Sequence, residues 1–275
     1  MLRISMTMII AMVMSLPSAI AKEISISGST SMAQVIDVLA EHYNQDHPNN
    51  FIAVQGIGSS AGIAMVNKGV VELGMSSRYL TQNEKHKDLS VLPIAYDGLA
   101  IIVNRANPIT SLTEQQIYDI YKGKIKNWQQ VGGTNTPIVV VTRETSSGSR
   151  HRFEQLLGLT KMVNGSTVSD IDPHNLVVNN TSTVKALISH NVNAVGFVSL
   201  GAMDKDVKAV KFNGIAPSTK NIENQKYALA RPFLLLYRNK SLDPDSKQFI
   251  SYLKSDKAQA LIASRGYIPN DNMVH

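Results

Sequence analysis

Seven consecutive residues, Arg143-Glu144-Thr145-Ser146-Ser147-Gly148-Ser149, combine a guanidinium, three serine hydroxyls and a glycine. They follow an apolar run, Ile138 to Val141, and precede Phe153, Leu156 and Leu157 at helical spacing. A polar turn between a strand and a helix start offers a forked donor, hydroxyls and the free amides of the first helical turn. Those are the groups that hold a small oxyanion. An ordinary serine-rich loop with a helix cap has the same composition, so the turn alone does not decide between the two. Nothing in it is arranged to make or break a bond.

Other chemistries find less support. No G-x-S-x-G elbow is present, and Ser182-Thr183-Val184-Lys185 matches S-x-x-K without the S-D-N and K-T-G elements that accompany it in penicillin-binding enzymes. A plain helix N-terminus accounts for that match better. A serine hydrolase would turn over an activated ester and lose that turnover in Ser147→Ala or Lys185→Ala. The seven histidines form no H-E-x-x-H, and His42 and His47 are spaced off a common helical face. Gly123-Lys124 is followed by Ile125, which breaks a Walker A motif, and Gly56 to Gly62 spaces its last glycine wrongly for a dinucleotide fingerprint. No catalytic residue, metal ligand or cofactor is assigned.

Three more turns resemble the first. Ser29-Thr30-Ser31 follows the alternating Ile24 and Ile26, Ser59-Ser60 follows Phe51 to Val54, and Ser77-Arg78 follows Val70 to Met75. Together the four turns nominate Ser29, Thr30, Ser31, Ser59, Ser77, Arg78, Arg143, Ser147, Gly148 and Ser149 as anion donors. A charge-assisted hydrogen bond contributes about 1.5–3 kcal/mol. Half of about ten such bonds would match the ~8 kcal/mol of micromolar binding.

The elements that must position these turns alternate between strand and helix. Ser31 to Gln34 fits a capping box, which starts a helix at about Met32 with Met32, Val35, Ile36, Leu39 and Tyr43 facing inward. Thr81 to Glu84 is a second capping box, and Thr113 to Gln116 opens a helix closed by Gly123. Asp97-Gly98 divides two strand-like runs, where a hairpin or a crossing between domains fits. The second half repeats the pattern, with a helix over Ser182 to Ser189 and strands over Ala194 to Val198 and Val207 to Phe212. Tyr227 to Tyr237 contains Pro232, which cannot donate to a ladder, so the run is expected to be a crossing segment and not a central strand. Asp243-Pro244 caps the first of the C-terminal helices.

The 275 residues carry a formal net charge of +6, with lysines scattered and not massed among aromatics, which disfavours nucleic-acid binding and suits an anionic ligand. There is no cysteine, so disulfides, thiolate metal sites and a lipid-modified N-terminal cysteine are excluded. Arg3, the apolar run Met6 to Leu16 and Ala19-Ile20-Ala21 read as a signal peptide cleaved after Ala21. The apolar run is shorter than the roughly 20 residues of a membrane span. The expected organisation is a leader (1–21), a discontinuous first domain (22–97 and 230–275) and a second domain (98–229).

The Gly28-Ser29-Thr30 turn, the Gly56 to Ser60 turn, Gly123-Lys124-x-x-Asn127-Trp128 with Gly132-Gly133, and Arg143-x-x-x-Ser147-Gly148-Ser149 together resemble the periplasmic phosphate-binding protein of the high-affinity phosphate ABC transporter, the PstS-like family. The resemblance covers nearly the whole chain after the leader. It implies an α/β type II periplasmic-binding-protein fold, two αβ domains with a ligand cleft and two crossing segments. It also implies a monomeric periplasmic receptor for inorganic phosphate, without catalysis, that delivers to inner-membrane permease subunits. Thr30, Ser31 and Ser59 would bind from one side, and Arg143, Ser147, Gly148 and Ser149 from the other. One position departs: Ser77 stands where the best-known members have an aspartate that accepts the proton of hydrogen phosphate and repels sulfate. Ser77 can accept that bond but cannot repel. Another tetrahedral oxyanion such as sulfate, or an exported sensor or adhesion role, are the alternatives. Glu144 either supplies the missing acceptor or orients Arg143, and the second is favoured.

Overall fold

The computed structural model describes residues 22–270. The signal-peptide expectation lies outside the described residues. The chain runs β1 (Lys22–Gly28), α1 (Thr30–Asp46), β2 (Asn50–Gly56), α2 (Ser59–Lys68), β3 (Leu73–Ser76) and β4 (Leu89–Asn104). It continues through β5 (Ser111–Leu112), α3 (Glu114–Tyr121), β6 (Val139–Arg143), α4 (Gly148–Leu156), β7 (Thr160–Val163), β8 (Ser166–Ser169) and β9 (Leu176–Val178). Then come α5 (Thr181–His190), β10 (Ala194–Ser199), β11 (Val207–Phe212), α6 (Thr219–Glu223), β12 (Ala230–Arg238), α7 (Pro244–Leu253), α8 (Asp256–Ser264) and β13 (Ile268–Pro269).

Among the described residues, eleven strands form one mixed sheet ordered β2-β1-β3-β12-β4-β10-β6-β9, with β5, β11 and β13 attached off that path and β7-β8 a separate hairpin. The α/β fold class is as expected. β4 is the long element: its first part, Leu89–Gly98, pairs with β12, and Leu99–Val103 pairs with β10. The buried apolar residues follow the same division. Ile24 to Ala95 pack with Phe233 to Tyr267, while Leu99 to Leu229 pack together with Ile268. The chain therefore passes between packing groups at Asp97-Gly98 and again near Ala230.

Several local expectations change in three dimensions. α1 starts at Thr30, because Ser29, not Ser31, is its cap: Ser29 Oγ accepts from the Met32 amide at 3.3 Å. Residues 70–72 are a turn that follows the close of α2 at Gly69, so the third strand is confined to Leu73–Ser76. Tyr227 to Tyr237 is not merely a crossing segment, since β12 lies inside the sheet between β3 and β4. Pro232 is tolerated because it faces only β4, at Tyr96; β3 joins from Leu234 onward, just past a bulge in the pairing.

Gly28 fixes how the first turn meets the sheet. Its φ is +146°, and a Cβ there would lie 2.1 Å from the Met75 carbonyl oxygen. Its own carbonyl accepts from the Ile57 and Gly58 amides, both at 2.8 Å, tying the first turn to the second. Gly28→Ala is expected to destabilise the fold by about 2 kcal/mol or more, read as a lower midpoint in urea unfolding.

Candidate anion-binding site

α1, α2, α4 and α5 begin at the carboxyl ends of β1, β2, β6 and β9, which run parallel within their pairs. This is where helix N-termini and loops of an open α/β sheet gather to hold a ligand. The nominated residues collect there in two facing banks. Ser29, Ser31, Ser59, Ser77, Arg78, Arg143, Ser147 and Ser149 are all buried, and Thr30 is half-buried.

The banks touch. Ser31 Oγ lies 3.0 Å from Ser149 Oγ, Arg143 Nη2 donates to Thr30 Oγ1 at 2.9 Å, and the Ser60 amide donates to the Ser146 carbonyl at 3.2 Å. Within the first bank, Ser59 Oγ accepts from the Ser77 amide at 3.1 Å and lies 3.4 Å from Ser77 Oγ. A Cβ on Gly148 would fall 2.2 Å from Ser59 Oγ and 2.6 Å from Ser77 Oγ, so the approach of α4 depends on the bare glycine. Ser147 caps α4 through the Arg150 amide at 3.3 Å, as Ser29 caps α1; each keeps its hydroxyl proton for another acceptor.

The two nominated arginines differ in what remains free. Glu144 holds Arg143 in a fork, accepting from Nε at 2.9 Å and from Nη2 at 3.0 Å, the orienting arrangement. Nη1 donates to Thr181 Oγ1 at 3.3 Å, and Nη2 also reaches the Asn179 carbonyl at 3.2 Å. Arg78 is engaged through its two terminal nitrogens only. Its terminal nitrogens donate to Glu84 at 2.8 and 2.6 Å, to the Tyr79 carbonyl and to Ser60 Oγ, which leaves only its buried Nε without a partner. Nε is thus the group that Arg78 has left to offer an anion.

Burial alone would raise the Glu84 carboxyl, but the Arg78 hydrogen bonds, the Thr81 amide and the Arg78 charge outweigh it and hold the group at about 2. Because that value lies below the ordinary 4.5, the pair's stabilisation is complete above the ordinary value and is lost as pH falls toward the depressed one. Glu84→Gln is expected to flatten that acid limb in a pH series of unfolding midpoints.

The sequence patterns missed four participants. Thr181 opens α5 behind Arg143, and Glu84 neutralises Arg78. Asp97 on β4 and Arg231 on β12 form a buried pair, with Arg231 Nη1 donating to Ser149 Oγ. Thr81 to Glu84 was readable as a capping box, and that box is present around a short 3-10 turn, but its Glu84 serves Arg78 as well. Nothing local marks Asp97 and Arg231, which stand 134 positions apart. Lys185 of the S-x-x-K match pairs with Asp204, outside the two banks.

A family model described as a PBP superfamily domain matches residues 16–257. The chain is 30% identical to the phosphate-binding protein PstS of Pseudomonas aeruginosa, across 92% of this chain and 84% of that protein. It is 53% identical to the chain in the crystal structure of an ABC-type phosphate transport receptor from Vibrio cholerae, covering 90% of this chain and all of that one with a TM-score of 0.75. A putative phosphate ABC transporter substrate-binding protein from Clostridium perfringens, solved with bound phosphate, is 38% identical at a TM-score of 0.85, over 90% of this chain and 99% of that one.

Proposed function

Since the chain belongs to the PstS-like phosphate-binding proteins of the PBP superfamily, we propose that it captures inorganic phosphate between the two banks and delivers it to an ABC transporter. It is a receptor and not an enzyme. Ser29, Thr30, Ser31, Ser59 and Ser77 contribute from one side, and Arg143, Ser147, Gly148 and Ser149 from the other, with Arg78 acting through Nε and through its hold on Ser60. The two sides are the discontinuous domain 22–97 with 230–275 and the domain 98–229. The protein works in the periplasm as a monomer, after removal of residues 1–21, and hands phosphate to inner-membrane permease subunits. No helix among the described residues is long and apolar enough to cross a membrane.

The observation that carries this reading is the direct contact of the banks through hydroxyls and Arg143. Groups that already meet across a cleft can enclose a small tetrahedral anion and exchange their mutual bonds for bonds to it. A ligand that binds only the folded state, at a hundred times its Kd, stabilises that state by about 2.7 kcal/mol. Phosphate is therefore expected to raise the thermal midpoint, and no shift at millimolar phosphate would contradict the reading.

A second reading concerns selectivity and rests on the carboxylates. Glu84, Glu144 and Asp97 each face an arginine fork. Ser77 is neutral, so no free acid at that position repels a fully ionised anion. The protein accepts sulfate as well as phosphate. Ser77→Asp is expected to raise the ratio of phosphate to sulfate affinity at least about tenfold, because hydrogen phosphate can donate its proton to the new carboxylate whereas sulfate, with no proton, meets only a like charge. An unchanged ratio would place selectivity elsewhere.

A further inference from the structure

Asp97 and Arg231 belong to none of the four turns, yet they reach the site from the two strands on which the chain passes between packing groups. Both are shielded from solvent, at 0% and 1% exposed. Arg231 Nε and Nη2 donate to Asp97 Oδ2 at 2.9 and 2.7 Å, and Nη1 donates to Ser149 Oγ at 2.5 Å. Asp97 Oδ1 accepts from the Leu200 amide at 3.1 Å. The carboxylate is thus occupied on both oxygens, and the guanidinium is aimed at a single hydroxyl of the second bank.

A guanidinium has five donors and no acceptor and keeps its proton at any working pH. Ser149 Oγ must therefore accept from Arg231. Its own proton then leaves in another direction, toward Ser31 Oγ at 3.0 Å or toward an anion lodged beside the pair. We propose that Arg231, clamped by Asp97, is a positioning residue of the anion site that fixes Ser149 as a donor and turns the Ser31–Ser149 hydroxyl pair toward the ligand. The proposal rests on the phosphate reading above and adds to it a residue that acts through Ser149. Hydrogen bonds in a chain polarise one another, so the cation at one end strengthens the hydroxyl donor at the other. Without Arg231 the Ser149 hydroxyl is free to rotate and can present a lone pair to the anion.

The test is a double-mutant cycle read by calorimetric titration with inorganic phosphate. In the otherwise unmutated protein, Ser149→Ala is expected to lower affinity about tenfold. In a background carrying Asp97→Leu and Arg231→Met together, the same change is expected to cost less than about twofold. Apolar replacement of a buried ion pair is structurally tolerated, and that background is itself expected to bind about tenfold to a hundredfold more weakly. Arg231→Lys provides a second arm that keeps a cation against Asp97 and so preserves the fold. An ammonium has no fork to hold Asp97 and Ser149 at once, so affinity is expected to fall about tenfold while the thermal midpoint is maintained. Equal costs of Ser149→Ala in both backgrounds, or undiminished affinity in Arg231→Lys, would overturn the assignment. If the unmutated protein binds no phosphate, the reading of the cleft fails and this assignment with it, a result distinct from additivity in a protein that does bind.

Discussion

Arg143→Ala is expected to lower phosphate affinity by about a thousandfold or more, a loss near 4 kcal/mol, the value of two charge-assisted hydrogen bonds. Two effects add. The guanidinium and its contacts to Thr30 and Thr181 disappear. Glu144, left without its fork, becomes an uncompensated carboxylate beside the anion, and an orphaned charge costs more than a missing attraction. Arg143→Lys separates the two: it keeps the charge and loses the bidentate geometry, so its loss should be intermediate. Calorimetric titration of both variants checks this, and an Arg143→Ala protein with near-normal affinity would remove Arg143 from the site.

Gly148→Ala should be nearly as damaging to binding and almost silent in stability. An added Cβ would lie 2.2 Å from Ser59 Oγ and 2.9 Å from Ser59 Cβ, so either the Ser59 and Ser77 hydroxyls move out of place or the banks stay apart. A loss of at least about a hundredfold in affinity follows from forfeiting one or two charge-assisted bonds. Gly148 opens α4, where alanine is the better helix former and restricts the unfolded chain. The ligand-free midpoint should therefore hold or rise. A variant that instead unfolds easily but binds normally when folded would mean that the approach of α4 to Ser59 is a packing contact alone.

The parts of the fold that local chemistry specifies were legible. Asp243 before Pro244, Thr113 before Gln116 and the serine-rich turn after Ile138 to Val141 each announced a helix start, because a cap is decided within a turn of chain. Choices between adjacent candidates were less legible. Ser29 and Ser31 can both cap α1, and the contact of Ser31 with Ser149, 118 positions away, accompanies the assignment of the cap to Ser29. Pro232 argued against a central strand by its missing donor, but β3 is short and leaves that stretch of β12 paired on one side only. The two ion pairs were hidden for different reasons. Glu84 is close to Arg78 in sequence but already had a local role in its capping box. Asp97 and Arg231 meet only because β4 and β12 are neighbours, which no turn motif encodes. The four hydroxyl- and arginine-bearing turns were thus readable from short motifs, and so was Glu144 beside Arg143, whereas the Asp97–Arg231 pair depended on tertiary pairing.

The central claim, reversible capture of phosphate between the two banks, is tested most directly by calorimetric titration of the chain from residue 22 onward with phosphate and with sulfate at neutral pH. Expected is saturable one-to-one binding of phosphate with a Kd of about 1 μM or tighter, a free energy of ~8 kcal/mol or more, abolished or crippled by Arg143→Ala. Absence of saturable phosphate binding, or phosphate binding that survives Arg143→Ala unchanged, would contradict it.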